Sequence, residues 1–448
     1  MLAQAYPRVG ARNTSRTLFL FFVVVGVAIR LAIAWIPGNS VLTPWSGGGD
    51  MYAYLLLANN IVTGKGYTYA SIPTAFRTPG YPLFLAGTME LFGKHFLLAA
   101  RFLQATAGIV AAYCCMRAAR LLFGKTAGNI ALIGALLSPT LAYFSGEILT
   151  EGLASFFVAS FLWALAEDTK QPNWKTAIAM GLTIGLGAMV RANTAVLGLV
   201  ALLGAWTARP ARYAKRELLM IPISAAIIVA PWVIRNSLVF GRPLLSTEAG
   251  SAALVSLVNP EARLVAGWDS PLRELVGYVV PNQLETNDDE RRAIGSELDM
   301  NRKCWEASGR LWDRMSLGAK FRWVLGKWQA YWFSTDQLLH PGAVSRRNRG
   351  LHVAGVLFYW GFLVLAGIGC WNLRKSRPTV VLVLIAYAVL VTAVHTPFVM
   401  NSRIRAPLVD PLIAVLGGGG AAALVYGTKG TITLETSDSF LGLQQPSS

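Results

Sequence analysis

The chain has 448 residues and a net charge of +17, from 40 Lys and Arg against 23 Asp and Glu. Only 14% of residues are charged and 54% are hydrophobic, against roughly 25% charged in a soluble domain, and the mean hydropathy is +0.47. Those values exclude a disordered chain, a disulfide scaffold and an ordinary soluble enzyme.

The cations stand in short clusters between apolar runs, the pattern that orients membrane helices rather than the charged face of a nucleic-acid binder. Arg8, Arg12 and Arg16 precede the first run, residues 17–37, and set the N-terminus on the cytoplasmic side. At about 20 residues that run is long enough to span, which argues against a cleaved signal peptide. Further spans are expected at residues 96–116, 126–143, 151–166, 176–190, 194–206, 218–233, 351–371, 379–395 and 406–426. The basic groups Arg117, Arg120 and Lys125, then Arg209, Arg212, Lys215 and Arg216, then Arg374, Lys375 and Arg377 all fall inside under that count. Segment 79–92 is apolar but only ~21 Å long as a helix, against a ~30 Å core. As a full crossing it would put the Arg117 cluster outside, so it reads as half-inserted or interfacial.

The expected fold class is therefore all-α: a polytopic membrane bundle of about ten helices, with interfacial helices in the first outer loop and a larger outer loop domain. Its parts are a cytoplasmic tail (1–16), a transmembrane catalytic module (17–235) holding the first outer loop (38–95), an outer loop domain (236–350), C-terminal membrane helices (351–426) and a cytoplasmic tail (427–448). Within the outer loop domain a charged, helix-like run from 284 to 314 precedes the aromatics Trp323, Trp328, Tyr331, Trp332 and Phe333. These suit an interfacial belt or a sugar- or lipid-gripping surface. The four cysteines and four histidines are scattered, and no zinc, P-loop or serine-elbow motif occurs.

Acidic residues are scarce, so those near the outer ends of spans carry information. Asp50 follows three glycines and precedes an apolar helix, which suits either a helix start or a carboxylate pinned at the membrane surface. Glu147 and Glu151 are four apart, a spacing that sets both on one helical face. Such a pair shares a proton, faces a cation, binds a metal or simply opens a helix. On the same side lie Arg77, Arg235, Arg403 and Arg405; arginine suits a phosphate, although any single one also suits headgroup contact.

The residues Gly49-Asp50, Tyr52, Gly64-Lys65-Gly66-Tyr67, Arg77-Thr-Pro79-Gly-Tyr81-Pro82, Arg101, Glu147, Glu151, Arg191-Ala-Asn193, Pro231-Trp232, Arg235-Asn236 and Arg403-Ile-Arg405-Ala-Pro407 recur in order. In that order they resemble the polyprenyl-phosphate-dependent GT-C glycosyltransferases, of the branch with bacterial protein mannosyltransferases and the lipid A aminoarabinose transferase. The resemblance covers most of the chain outside 255–349. It implies a sugar moved from a polyprenyl-phosphate donor to a hydroxyl acceptor (glycan, lipid or protein) on the outer, periplasmic face of a bacterial inner membrane, with no nucleic acid involved. It also implies Asp50 as general base, Glu151 with Glu147 beside it as second acid, and Arg77, Arg403, Arg405, Arg235 and Lys65 as donor-phosphate ligands. No cofactor follows from the motifs. The first loop has one acid after its glycines, where some relatives carry a pair, so a divalent metal is left open. The competing readings are a lipid-linked sugar flippase or other transporter, and a surface-glycan polymerase or ligase. Arg30, inside the first run, fits none of these roles.

Overall fold

The computed structural model describes residues 9–35, 50–69, 72–207, 215–258, 297–333, 349–400 and 402–430. The glycines before Asp50 and residues 284–296 lie outside them. The described chain is helical almost throughout, as a backbone in hydrocarbon must satisfy its own N–H and C=O groups. In chain order the helices are α1 (Val9–Trp35), α2 (Asp50–Val62), α3 (Gly80–Phe92), α4 (Phe96–Phe123), α5 (Lys125–Leu137), α6 (Pro139–Gly146), α7 (Glu151–Lys170) and α8 (Trp174–Val190). There follow α9 (Leu197–Thr207), α10 (Lys215–Phe240), α11 (Glu248–Val258), α12 (Glu297–Arg314), α13 (Leu317–Phe333), α14 (Arg349–Ser376), α15 (Pro378–His395) and α16 (Ser402–Gly430). A two-stranded antiparallel hairpin, β1 (Thr68–Tyr69) and β2 (Ile72–Pro73), lies between α2 and α3.

Against the expectation of about ten spans, six helices among the described residues are long and apolar enough to cross a membrane, or seven if the bent pair α5–α6 is one span. Several apolar runs become short pieces: α8 has 17 residues, ~26 Å of helix, and the run after it opens as a 3-10 turn at Ala192–Val196.

The apolar stretch Gly80–Phe123 is not one rod. Tyr81 donates a hydrogen bond to Gln104 Oε1 at 2.7 Å, although an unbroken helix would set those residues ~35 Å apart. The chain turns at Gly93, where φ is 51°, and α3 doubles back on α4. Segment 79–92 thus stands as a short helix of its own, packed back on α4.

The last helix is the centre of the bundle: 83% of its apolar window is buried, against 17% in α1. Its glycines make that possible, since a Cβ on Gly418 would stand 2.4 Å from the Ala127 carbonyl oxygen of α5 and one on Gly420 1.9 Å from that of Leu365 in α14. Small residues let helix backbones touch where no hydrophobic effect drives them together.

Arg30, buried in α1, finds its role at the break between α5 and α6. Its guanidinium donates to the carbonyls of Ala135 (2.6 Å), Leu136 (3.3 Å) and Leu141 (3.3 Å) and to Ser145 Oγ (2.6 Å). The carbonyls of Ala135 and Leu136 belong to the last turn of α5 and lack helical partners, so the cation satisfies a helix end inside the bundle.

Candidate active site

Six separate stretches of chain meet in the cluster around Asp50. The carboxylate stands at the first residue of α2 and is shared by two arginines: Arg403 Nη2 donates to Oδ2 at 2.6 Å, and Arg77 Nη2 holds Oδ1 in a short ion pair. Arg403 reaches on through Nε to Glu151 Oε1 at 2.6 Å. Arg191 Nη1 approaches that same oxygen at 2.9 Å and bonds Thr150 Oγ1 at 2.8 Å. Arg77 closes the other end through Nη1, paired with Glu248. The result is an alternating chain, Glu248–Arg77–Asp50–Arg403–Glu151–Arg191, with three cations and three anions.

Local structure explains the convergence. Arg77 follows the hairpin, and its loop is stitched from several sides: the Ala75 N–H and Thr74 Oγ1 donate to Glu297 of α12 at 2.9 and 2.6 Å. Arg235, at the end of α10, donates to the carbonyls of Thr74 (2.7 Å) and Tyr67 (3.1 Å) and stacks its guanidinium 5.0 Å over Trp232. Gly80 begins α3 in a space no side chain fits, because a Cβ there would lie 2.6 Å from Met189 O, two residues before Arg191. On the far side, Arg403 is in the first turn of α16, just after a connection held by α11 and α13. Lys327 Nζ donates to Thr396 O at 2.6 Å, Trp328 Nε1 to Thr396 Oγ1 at 3.0 Å, and Ser256 Oγ to Pro397 O at 2.8 Å.

The electrostatics follow. Burial opposes the charge on Asp50, but Arg77 and Arg403 outweigh it and hold the carboxyl well below the ordinary carboxylate range. Glu151 is fully buried, whereas Asp50 keeps 28% of its side chain open and Glu248 keeps 38%. The exposed end of the site is therefore the Asp50–Arg77–Glu248 end, and Glu151 is its anchor.

The sequence-derived candidates divide accordingly. Asp50, Arg77, Glu151 and Arg403 are brought together. Glu147 and Glu151 do not share a helical face: α6 ends at Gly146, Glu147 is extended (φ −87°, ψ 147°), and Glu151 opens a new helix. Glu147 carries a backbone bond from Gln104 (2.6 Å) instead. Arg405 is two residues from Arg403 on one helix, hence about 200° around it, and points into the bundle. There it is fully buried, bonding Asp410 Oδ1 at 3.0 Å and Tyr331 O at 3.1 Å under the Tyr359 ring. Arg235 holds the first loop rather than joining the ion chain, and Lys65 is exposed. Sequence reasoning missed Arg191 and Glu248 as site residues. Arg191 carried a usable signal, since it ends an apolar run just as Arg235 does; Glu248 carried none.

Among the described residues no group of three or more His, Cys, Asp or Glu is placed to hold a metal ion. The site's carboxylates already face guanidinium groups, so the residues present do not fit a divalent cation.

Residues 76–234 match the family described as dolichyl-phosphate-mannose-protein mannosyltransferase, rather under half of the chain. No curated protein matches by sequence. Among solved structures, the oligosaccharyltransferase AglB of Archaeoglobus fulgidus, in complex with an inhibitory peptide and a dolichol-phosphate, aligns with TM-score 0.50 and 15% identity over 94% of this chain and 53% of its own. An apo oligosaccharyltransferase of the same organism gives 0.52 and 16% over 91% and 50%. ArnT of Cupriavidus metallidurans in the apo state gives 0.42 and 14% over 91% and 78%. The chain thus spans about half the length of the oligosaccharyltransferases it matches, and at such identity the likeness is one of fold. The family match and the shared architecture bear out the resemblance read from the sequence: this is a polytopic membrane protein with the GT-C fold, similar to the polyprenyl-phosphate-sugar-dependent glycosyltransferases.

Proposed function

We propose that the chain transfers a sugar from a polyprenyl-phosphate donor to a hydroxyl acceptor, on a glycan, lipid or protein, at the outer face of a bacterial inner membrane. The observation that carries this reading is one half-open carboxylate shared by two arginines, Arg77 and Arg403, where the start of α2, the loop before α3 and the first turn of α16 meet. The lipid tail of such a donor stays in the bilayer, and its phosphate meets guanidinium forks suited to bidentate bonding. The complex of AglB with a dolichol-phosphate and a peptide supports the same division between lipid carrier and acceptor.

The chemistry follows from the residues. The acceptor oxygen attacks the anomeric carbon, the bond from that carbon to the phosphate oxygen breaks, and the acceptor proton passes to Asp50. In-line attack inverts the anomeric configuration. Arg77 and Arg403 stabilise the charge that grows on the departing phosphate. They also set the base: paired with both arginines, Asp50 is weakly basic, and a phosphate that draws them away raises its affinity for a proton. Glu151, bonded to Arg403 and Arg191, holds the guanidinium of Arg403 in place.

The test uses purified protein in proteoliposomes with a panel of labelled polyprenyl-phosphate sugars, reading free polyprenyl phosphate. Turnover with at least one donor is expected, and Arg403→Gln should weaken donor use more than it lowers thermal stability. No release from any donor, together with unchanged farnesyl phosphate binding in Arg403→Gln, sinks the reading.

A further inference from the structure

Glu248 has no part in that chemistry, yet it occupies one of the two arginines that the donor needs. Its carboxylate pairs with Arg77 Nη1, while Arg77 Nη2 holds Asp50. The remaining Arg77 donor, Nε, is buried without an acceptor. A guanidinium carries five N–H groups, and this one is short of an acceptor at the point where an anion is expected.

The attachment of Glu248 is unusual in where it is rigid. Its backbone is fixed beside that of Arg77: the Thr247 N–H donates to Ala75 O at 3.1 Å, Ser246 Oγ to Phe76 O at 2.8 Å, and the Glu248 N–H to Ser246 Oγ at 3.1 Å. Its side chain is the most exposed of the three site carboxylates. The chain can therefore withdraw this carboxylate by a rotamer change and return it to the same place, without moving α11.

Product chemistry gives such a carboxylate a task. The donor is a phosphodiester with one negative charge. Once the sugar leaves, the carrier is a phosphate monoester, close to doubly charged at neutral pH. An arginine pair that binds the donor thus binds the spent carrier more strongly, and the site is prone to arrest on its own product.

Resting on the reading above that Arg77 and Arg403 receive the lipid phosphate, we infer that Glu248 is an exchangeable counter-ion. It yields Arg77 to the donor phosphodiester and returns to that arginine to help expel the carrier phosphate. It is a positioning residue, acting on Arg77 and not on the reacting atoms.

The experiment measures binding of farnesyl phosphate (monoester) and methyl farnesyl phosphate (diester) to the full chain in nanodiscs. The proteins are wild type, Glu248→Gln, Arg77→Gln and the double variant. Glu248→Gln is expected to tighten the monoester by about fivefold, the weight of a half-exposed ion pair, and the diester by less. The gain should vanish when Arg77 is already Gln. In turnover assays Glu248→Gln should lower KM and kcat together, because the carrier leaves slowly. Glu248→Asp keeps the charge and should bring kcat back toward wild type. If Arg77→Gln leaves monoester affinity unchanged, the phosphate reading itself fails. If Arg77→Gln weakens it while Glu248→Gln fails to tighten it, the counter-ion inference alone is overturned.

Discussion

Asp50→Asn separates the two demands the structure makes on that residue. The substitution keeps shape and removes charge, so it deletes the proposed base and releases both arginines from its charge. Loss of a general base costs about 10²–10⁴ in rate, or roughly 3–5 kcal/mol of barrier. The structural cost is smaller, because Arg77 keeps Glu248 and Arg403 keeps Glu151, and both Asp50 and Arg403 are 28% exposed; about 1–2 kcal/mol is the right scale for so open a pair. Affinity for a lipid phosphate should move the other way and tighten, since the two guanidinium groups lose a competitor. The assay is turnover in proteoliposomes, with farnesyl phosphate binding and thermal melting measured on the same preparation. Expected are a fall in turnover of at least about a hundredfold, tighter phosphate binding and a modest drop in melting temperature. Turnover within about tenfold of wild type, at equal folded protein, would refute the base assignment.

Three further outcomes follow from the packing. Arg30→Met strips the α5–α6 break of the guanidinium that bonds its carbonyls and leaves them unpaired, so detergent-solubilised protein should lose about 2–5 kcal/mol of stability, while the folded fraction binds lipid phosphate as wild type does; lost binding in folded protein would show Arg30 to be part of the site. Gly80→Ala drives a methyl against the Met189 backbone and should cost about 1–3 kcal/mol, read as a lower melting temperature with reduced turnover; an unchanged melt would mean that α3 and α8 are not in contact there. Burial lowers the Lys327 ammonium to about 7 from 10.5, so between those values the unfolded chain binds a proton that the folded chain does not. Stability should therefore rise with pH from about 7 to 10.5, by a ceiling of about 5 kcal/mol, and Lys327→Met should flatten that rise; equal slopes in the two proteins would contradict the burial of the charge.

The parts of the site legible in the sequence were those where charge is rare and its position constrained. Asp50, Arg77, Glu151 and Arg403 stand out because an acid or an arginine beside an apolar run needs a reason to be there. Arg405 has the same signature as Arg403, and only the helix phase of α16, fixed by packing around Gly418 and Gly420, sends one outward to Asp50 and the other inward to Asp410. The Glu147–Glu151 spacing misled because it presumed an unbroken helix across a stretch where the chain kinks. The number of spans blurred for a related reason: apolar composition marks what is buried in the bundle as strongly as what faces lipid. Glu248 was out of reach, since nothing local to it signals a partner 171 residues earlier.

The bond between Arg403 and Asp50 joins residues 353 apart in sequence, and the helix that begins beside Arg403 is both the last span and the core of the bundle. A nascent chain released into the bilayer from its N-terminus thus carries Asp50, Arg77 and Glu151 through most of its synthesis without the guanidinium that links the two acids. The ion chain is completed by the same threading event that fills the centre of the fold. A chain stalled or truncated before that helix retains every acid of the site but lacks the arginine that links two of them.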